Sequence, residues 1–302
     1  MKKIKLNSYA KINLSLNITG TLDNLHTLDM VLATVDLCDT IVIKRRKDNA
    51  VNIRYVTQKN KELQIDKELD TSLKAYNAFK DKFLIGEECV TENLVQNIGV
   101  DIFVKKRIPF SAGLGGSSVD AAGVLVGLKK LFNVESDISS IALSVGSDVP
   151  YLLGGGFARV TGVGEKIEKI STPITFFGVI CKPEGGVNST KAYQEFDKIF
   201  LEKQFSPSDN DALVAHLEKG DLQRSFADVD NALTTASIKL NPSIKKVLGL
   251  LAEFPEVVRA YSMTGSGSGC VAFLSSYKEA LKFKKILKAK DSSLEIIPFK
   301  TQ

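Results

Sequence analysis

The stretch "IPFSAGLGGSSVDAA" occupies residues 108–122, and its reading decides the fold. Three glycines and three serines stand between one proline and the first alanines of an apolar run. Upstream, "VDIFVKKRIP" (100–109) reads as a strand ending at Pro109. Downstream, "SVDAAGVLVGLKKLFN" (118–133) reads as a predominantly apolar helix. A helix placed this way turns the unpaired N–H groups of its first turn, about half a positive charge, toward whatever the loop encloses, which favours an anion. Glycine lets the backbone approach phosphate oxygens at positive φ without steric penalty. Ser117 and Ser118 add hydroxyls for capping, phosphate contact or a magnesium ion. The plain alternative is a flexible turn with Ser118 as the N-cap. The stretch is neither a Walker loop, since no Gly-Lys-Ser/Thr follows, nor a G-x-G-x-x-G dinucleotide fingerprint.

Working outward, the first 56 residues read as β-structure: "INLSLNITG" and "TIVIKRR" alternate with period two, and "VNIRYV" is short and β-branched. Residues 68–84 switch to helical spacing, with Leu73, Tyr76, Phe79 and Phe83 at intervals of three and four. "DISSIALSVG" (137–146) predicts a short helix stopped at Gly146. Further along, 175–183 predicts a strand, 188–200 a helix, and 241–254 a helix with Pro242 in its first turn. "VVRAYSM", "CVAFLS" and "LEIIPF" predict strands, and 277–290 an amphipathic helix. The second half is thus an α+β layer. A boundary within the glycine-rich region 154–172 gives an N-terminal domain over 1–165 and a C-terminal one over 166–302, in keeping with about 150 residues per domain.

The 302 residues carry 40 Lys and Arg against 35 Asp and Glu, a net charge of +5 spread along the chain, so no basic stripe argues for nucleic acid. A mild positive balance suits an anionic small molecule. Cys38, Cys89, Cys181 and Cys270 are far apart with no C-x-x-C pair, and are expected to be buried reduced thiols. No apolar run has the length of a membrane span or a signal-peptide core, so a cytoplasmic protein without membrane partners is expected.

Three further features carry candidate chemistry. Asp148 stands in "VGSDVPYLLGG" just after a predicted helix end and before Pro150, where it could accept a proton from a hydroxyl or serve simply as a turn cap. Lys11 heads the alternating strand "SYAKINLSL". It is either an exposed edge lysine or the partner of an acid, keeping that acid ionised and steadying negative charge on a phosphoryl group. "MTGSGSGCVAF" (263–273) is a second glycine–serine loop, longer than a tight hairpin needs, so backbone contact with a ligand competes with a plain turn.

In their order along the chain, "SYAKINLSLNITG", "PFSAGLGGSSVDAA", "GSDVPYLLGG" and "MTGSGSGCVAF" resemble the GHMP small-molecule kinases. The "AKINL" opening, the "LHTLDMVLATVDLCD" segment with His26 and "GVGEKIEKI" are most similar to the branch whose acceptor carries a cytidyl group. The resemblance spans nearly the whole chain. It implies a two-domain α+β fold, a ribosomal-protein-like α/β domain followed by a ferredoxin-like α+β domain, with the active site between them. It also implies ATP with Mg2+, the phosphates held by Pro109, Phe110, Ser111, Ala112, Gly113, Leu114, Gly115, Gly116, Ser117, Ser118 and Val119. Asp148 falls on the family's catalytic aspartate and Lys11 on its partner lysine; Asn13 and His26 fall on acceptor-holding positions, with Gly265, Ser266 and Gly267 beside them. Ser118 is the candidate contact to magnesium arriving with the nucleotide, and no dedicated metal site is expected. A monomer or weak homodimer is expected.

The chain departs from the family pattern in three places. Asn24-Leu25-His26 stands where Gly-Tyr-His is usual, removing an aromatic that would stack on cytosine. Ser117 and Val119 vary the usual glycine loop, and Asp70-Thr71-Ser72 replaces an Asn-Leu motif on the adenine side. Two other readings follow: a GHMP kinase acting on a different alcohol, suggested by Leu25, and a non-catalytic paralogue that binds a metabolite, against which the Lys11 and Asp148 pair argues.

Overall fold

The computed structural model describes residues 2–86, 97–200 and 207–302. The chain forms two compact units that are not contiguous in sequence. One comprises Met1–Ala10, Leu37–Ile108 and Gly116–Gly154; the other comprises Lys11–Asp36, Pro109–Gly115 and Gly155–Gln302. Strands β1 (Lys3–Leu22) and β2 (Leu25–Arg45) each contribute a segment to both units.

In the first unit those segments join β3 (Val51–Thr57), β4 (Glu62–Leu63) and β5 (Val100–Lys106) in the order β4-β3-β5-β2-β1. β5 runs antiparallel to β2, with Thr40 opposite Lys105, and parallel to β3, with Val51 opposite Val100. A parallel pair needs a crossover, and helix α1 (Thr71–Phe79), continued by a π-helical turn over Lys80–Leu84, lies on the intervening chain. Helix α2 (Gly116–Phe132) follows the glycine stretch, and α3 (Ser139–Val145) and α4 (Val149–Gly154) complete the unit. The core is built from Ile41 and Ile43 of β2, Phe79 of α1, Val100, Ile102 and Val104 of β5, and Leu125 and Leu128 of α2. α2 reaches the sheet closely because of Gly123: a Cβ there would stand 2.2 Å from Ile41 Cδ1.

In the second unit, two-residue β9 (Asp230–Asn231), β1, β2, β6 (Phe157–Gly162) and β7 (Lys166–Lys169) follow one another in a sheet. The glycine-rich segment after residue 154 is thus largely a hairpin, in which Ala158 pairs with Lys169. A separate antiparallel sheet contains β8 (Phe177–Lys182), β10 (Ala260–Met263), β11 (Cys270–Leu274) and β12 (Glu295–Lys300), in the order β10-β11-β8-β12. Numbered within that sheet, the order is 4-1-3-2 with a helical connection after the first and third strands, which is the ferredoxin-like layout. Helices α5 (Ser189–Phe200), α6 (Asn210–Lys219), α7 (Leu222–Ala227), α8 (Thr234–Leu240) and α9 (Ser243–Ala252) lie on the first connection and α10 (Tyr277–Lys290) on the second. Ser276 caps α10 by accepting from Glu279 N–H, while Glu279 reaches back to Ser275 N–H. The sequence reading left α6, α7 and α8 unassigned, although Asp209 caps α6 at one end and Gly220, at φ +74°, closes it at the other.

Cys38, Cys181 and Cys270 are buried and outside disulfides, and Cys89 lies outside the described residues. Burial pushes the Cys181 thiol up to about 12, which leaves it an inert core group.

Candidate active site

In the second unit, the segment Pro109–Gly115 and the loop between β10 and β11 are laced together by their backbones. Ser268 N–H donates to Ser111 O at 3.1 Å, and Gly269 N–H to Ala112 O at 3.2 Å. The approach is closest at Gly113, φ +72°, where a Cβ would stand 1.8 Å from Thr264 O. A Cβ on Gly265, φ +54°, would stand 2.6 Å from Gly113 O. Both positions need glycine for contact as well as for φ. The serines and glycines of the two loops, read separately in the sequence, therefore form one construction.

Lys11 and Asn13 lie at its base. Lys11 N–H donates to Leu114 O at 3.2 Å. Lys11 Nζ donates to Asn13 Oδ1 at 2.8 Å, and that oxygen also accepts from Gly265 N–H at 3.0 Å. Asn13 N–H donates to Thr264 Oγ1 at 3.0 Å. Lys11 is 4% exposed, which excludes the edge-lysine reading: an ammonium taken from water this far is retained only where it is hydrogen-bonded. Asn231 holds the loop from the other side, donating from Nδ2 to Met263 O at 2.8 Å and to Gly265 O at 2.9 Å.

His26 sits apart from these contacts on β2. Its ring stacks on Tyr193 with centroids 4.8 Å apart, and its Nε2 lies 2.7 Å from Asp197 Oδ1. Tyr193 and Asp197 belong to α5, and one turn earlier Ser189 Oγ lies 2.8 Å from Ser266 Oγ. The spacing 189, 193, 197 puts all three on one helix face, so α5 connects the late glycine loop with His26. Leu25 is half exposed, at 57%.

In the first unit, Gly116, Ser117, Ser118 and Val119 form the first turn of α2, which starts two residues before the helix read from Ser118 and places that serine inside the turn and not at its N-cap. Thr71 Oγ1 donates to Ser117 O at 2.8 Å, tying the start of α1 to the start of α2. Ser118 Oγ lies 3.6 Å from where a Cβ on Gly146 would stand, so its hydroxyl faces the turn that carries Asp148. Asp148 immediately precedes α4, and its carbonyl accepts from Leu152 N–H at 3.1 Å. Pro150 opens that new helix instead of preventing one, since a first turn needs no N–H from it. Asp70 is the N-cap of α1: Oδ1 accepts from Ser72 N–H at 2.9 Å, Leu73 N–H at 3.1 Å and Tyr55 O–H at 2.6 Å.

Two family models match the chain, GHMP kinases N terminal domain over residues 71–156 and GHMP kinases C terminal over 212–292, together more than half of it. The chain belongs to the GHMP kinase family. It is accordingly an ATP-dependent small-molecule kinase with the family's two-domain fold. Among curated relatives, a 4-diphosphocytidyl-2-C-methyl-D-erythritol kinase from Clostridium perfringens is 32% identical over 95% of this chain and 94% of its own. Proteins of the same name from Caldicellulosiruptor saccharolyticus (31%, 94% of this chain and 92% of theirs) and Clostridium tetani (30%, 97% and 99%) are similar in extent. A solved 4-(cytidine 5'-diphospho)-2C-methyl-D-erythritol kinase superposes with a TM-score of 0.77 at 24% identity, covering 99% of both chains. The homoserine kinase of Cytophaga hutchinsonii superposes at 0.69 with 18% identity, over 100% of this chain and 95% of its own. At those identities the two superpositions speak to the GHMP kinase fold alone.

Within this GHMP kinase, Lys11, Asn13, Ser111–Leu114 and Gly265 are joined by direct contacts, and His26 is connected to them through α5. Ser118 and the Asp148 turn are neighbours in the other unit. Sequence reasoning missed Tyr193, Asp197 and Asn231, because each acts on a residue far away in the chain. It also missed Lys106, although a signal was present: the inward alternation Val100, Ile102, Val104 continues onto a lysine.

Among the described residues no three His, Cys, Asp or Glu side chains converge as a metal site, and no helix is long and apolar enough to cross a membrane.

Proposed function

We propose that this GHMP kinase transfers the γ-phosphoryl group of ATP to the 2-hydroxyl of 4-diphosphocytidyl-2-C-methyl-D-erythritol, a step of non-mevalonate isoprenoid precursor biosynthesis. The observation that carries the phosphoryl-transfer half is the buried Lys11 ammonium at the junction of two interlocked glycine loops. An ammonium fixed there offsets charge on a transferring phosphoryl group without reorganising. The acceptor half is supported by the names of relatives at 30–32% identity over nearly the whole chain.

In this reading the backbone of residues 109–119 receives the nucleotide phosphates. Asp148 orients the acceptor hydroxyl and takes its proton late in a loose transition state, in which positioning and electrostatics matter more than base strength. Asn13 fixes Lys11 and the Gly265–Gly267 loop, and His26, held by Asp197, meets the acceptor's base. Magnesium bound to the nucleotide would supply further charge neutralisation, with the Ser118 hydroxyl as the protein group suited to it. The protein acts in the cytoplasm as a monomer or weak homodimer.

Leu25 favours a second reading, a GHMP kinase for another alcohol, because a half-exposed aliphatic replaces the expected stacking aromatic. Production of ADP, followed with a panel of 4-diphosphocytidyl-2-C-methyl-D-erythritol, mevalonate, homoserine and a sugar, separates the two. ADP formation only with the cytidyl compound is the expected result. Turnover of another alcohol and none of the cytidyl one overturns it, and tight metabolite binding with no ADP from any acceptor points to a non-catalytic paralogue.

A further inference from the structure

The segment between β5 and α2 leaves the first unit at Ile108 and returns to it at Gly116, so both its ends belong to one body. Those ends meet on a buried cation. Lys106, the last residue of β5, is 5% exposed, and its Nζ donates to Asp39 Oδ2 and to Asp120 Oδ2, each at 2.5 Å, and to the Gly116 carbonyl at 3.2 Å. Gly116 is the first residue of α2, and Asp120 lies one turn further along the same helix. Asp39, fully buried in β2, uses its other oxygen to accept from the next two backbone groups, Arg107 N–H at 2.5 Å and Ile108 N–H at 2.9 Å. Ser8 Oγ also donates to Val119 O, in the first turn of α2, at 2.6 Å.

We infer that Lys106 is a positioning residue for the nucleotide: with Asp39 and Asp120 it clamps the entry and exit of the glycine loop and so fixes where the first-turn N–H groups of α2 point. The inference rests on the proposed reading of residues 109–119 as the phosphate loop. Its physical basis is the placement of the clamp on both sides of the loop. A turn chosen for small residues and positive φ has little intrinsic rigidity, and Lys106 and Asp39 anchor the residues that flank it on either side. Charge-assisted hydrogen bonds away from water are the strong ones. A buried ion triad is a poor device for stability alone, since apolar groups of similar volume serve that purpose as well or better. What it supplies and apolar packing does not is direction, a single point to which strand end, loop entry and helix start are all bonded.

The test uses the full chain. Lys106→Met is compared with the unmodified protein for KM of ATP, KM of the acceptor, affinity for a non-hydrolysable ATP analogue, and backbone hydrogen exchange with and without that analogue. We expect ATP KM and analogue Kd to rise about tenfold, a modest share of what misplacing a reacting group can cost. The acceptor KM should stay within about twofold. Exchange should quicken over 107–118 and not across the β-sheet core. Should Lys106→Met fail to fold, Asp120→Asn decides the matter. It keeps the shape but replaces a carboxyl acceptor with an amide one, and about a threefold loss of analogue affinity is expected. Unchanged nucleotide affinity with a uniform gain in exchange makes the triad merely structural and overturns the inference. If the analogue fails to protect 109–119 in the unmodified protein, the phosphate-loop reading itself falls, an outcome distinct from the first.

Discussion

Asp148 carries the most specific claim made on a single side chain. It stands at the turn between α3 and α4, its carbonyl accepts from Leu152 N–H at the start of α4, and the Ser118 hydroxyl faces the same turn. Replacing it with alanine leaves the cap carbonyl and the glycine loops untouched. Turnover should fall at least about 10²-fold, the low end for a positioned acid–base group, while affinity for an ATP analogue is retained. Near-normal turnover in Asp148→Ala sinks the assignment. At this scale the sequence was informative where a residue's local placement depends on its neighbours in the chain. Asp148 before a proline and Ser118 at a helix start are examples. It was uninformative where the role depends on burial. Nothing in "SYAKINLSL" distinguishes a buried Lys11 from an exposed one, because the environment comes from Leu114 and, through Asn13, Gly265. Tyr193 is the sharper case. The absence of an aromatic at Leu25 is visible by inspection, yet the ring that stacks on His26 comes from α5 and can be found only by folding the chain.

Among the elements, α1 shows how a departure from a family pattern is resolved by local physics. Asp70-Thr71-Ser72 is a helix start: the Asp70 carboxylate accepts two first-turn N–H groups and the Tyr55 hydroxyl, and Thr71 binds the carbonyl of Ser117. Asp70 contributes mainly through capping, so Asp70→Ala should destabilise the protein by about 1–3 kcal/mol, the loss of a cap together with a buried hydroxyl left without an acceptor. Asp70→Asn keeps a capping oxygen and should lose clearly less. Urea midpoints at constant m-value check both; equal losses for the two variants would mean that charge, and not capping, is what Asp70 supplies. Elements with a clear pattern, such as the apolar α2 and the amphipathic α10, were readable, and so were the strands of the ferredoxin-like sheet. Helices α6 to α8 were not, because each is short and partly polar; the caps of α6 and α7 at Asp209, Gly220 and Asp221 were the available signal, and α8 has no side-chain cap. The glycine-rich segment 154–172, read as holding the domain boundary, also shapes a hairpin, since Gly162 at φ +73° and Gly164 at φ +112° turn β6 into β7.

For the whole molecule, order along the chain decided what single motifs could not, and the family's two domains followed from it. The interleaving of segments between the two compact units was not readable, because nothing local marks Ala10, Asp36 or Gly115 as a crossing point. The buried triad gives a molecule-wide consequence in pH. Burial, with repulsion from Asp39 added, holds the Asp120 carboxyl well above its ordinary value of 3.8, against the pull of Lys106. The folded state therefore binds this proton more tightly than the unfolded chain does. The stability tied to that proton is complete below about 3.8 and is lost as pH rises through the raised value. Lys106 acts in the same sense at higher pH. Burial opposes its charge, but the two carboxylates more than offset that and raise its pKa, so its contribution is complete below 10.5 and declines above. Asp101, held below the usual range chiefly by its hydrogen bond to Arg46, has the opposite sign and loses its contribution as pH falls, but its side chain is 44% exposed and its weight is small. Asp120→Asn keeps a neutral group in place at every pH and removes the first of these dependences. As pH rises above 3.8, the urea midpoint of the unmodified protein should fall relative to that of Asp120→Asn, the gap widening between the unfolded value and the raised folded one. Parallel curves would show that Asp120 is already ionised at the acid end, with Lys106 alone carrying the charge of both aspartates.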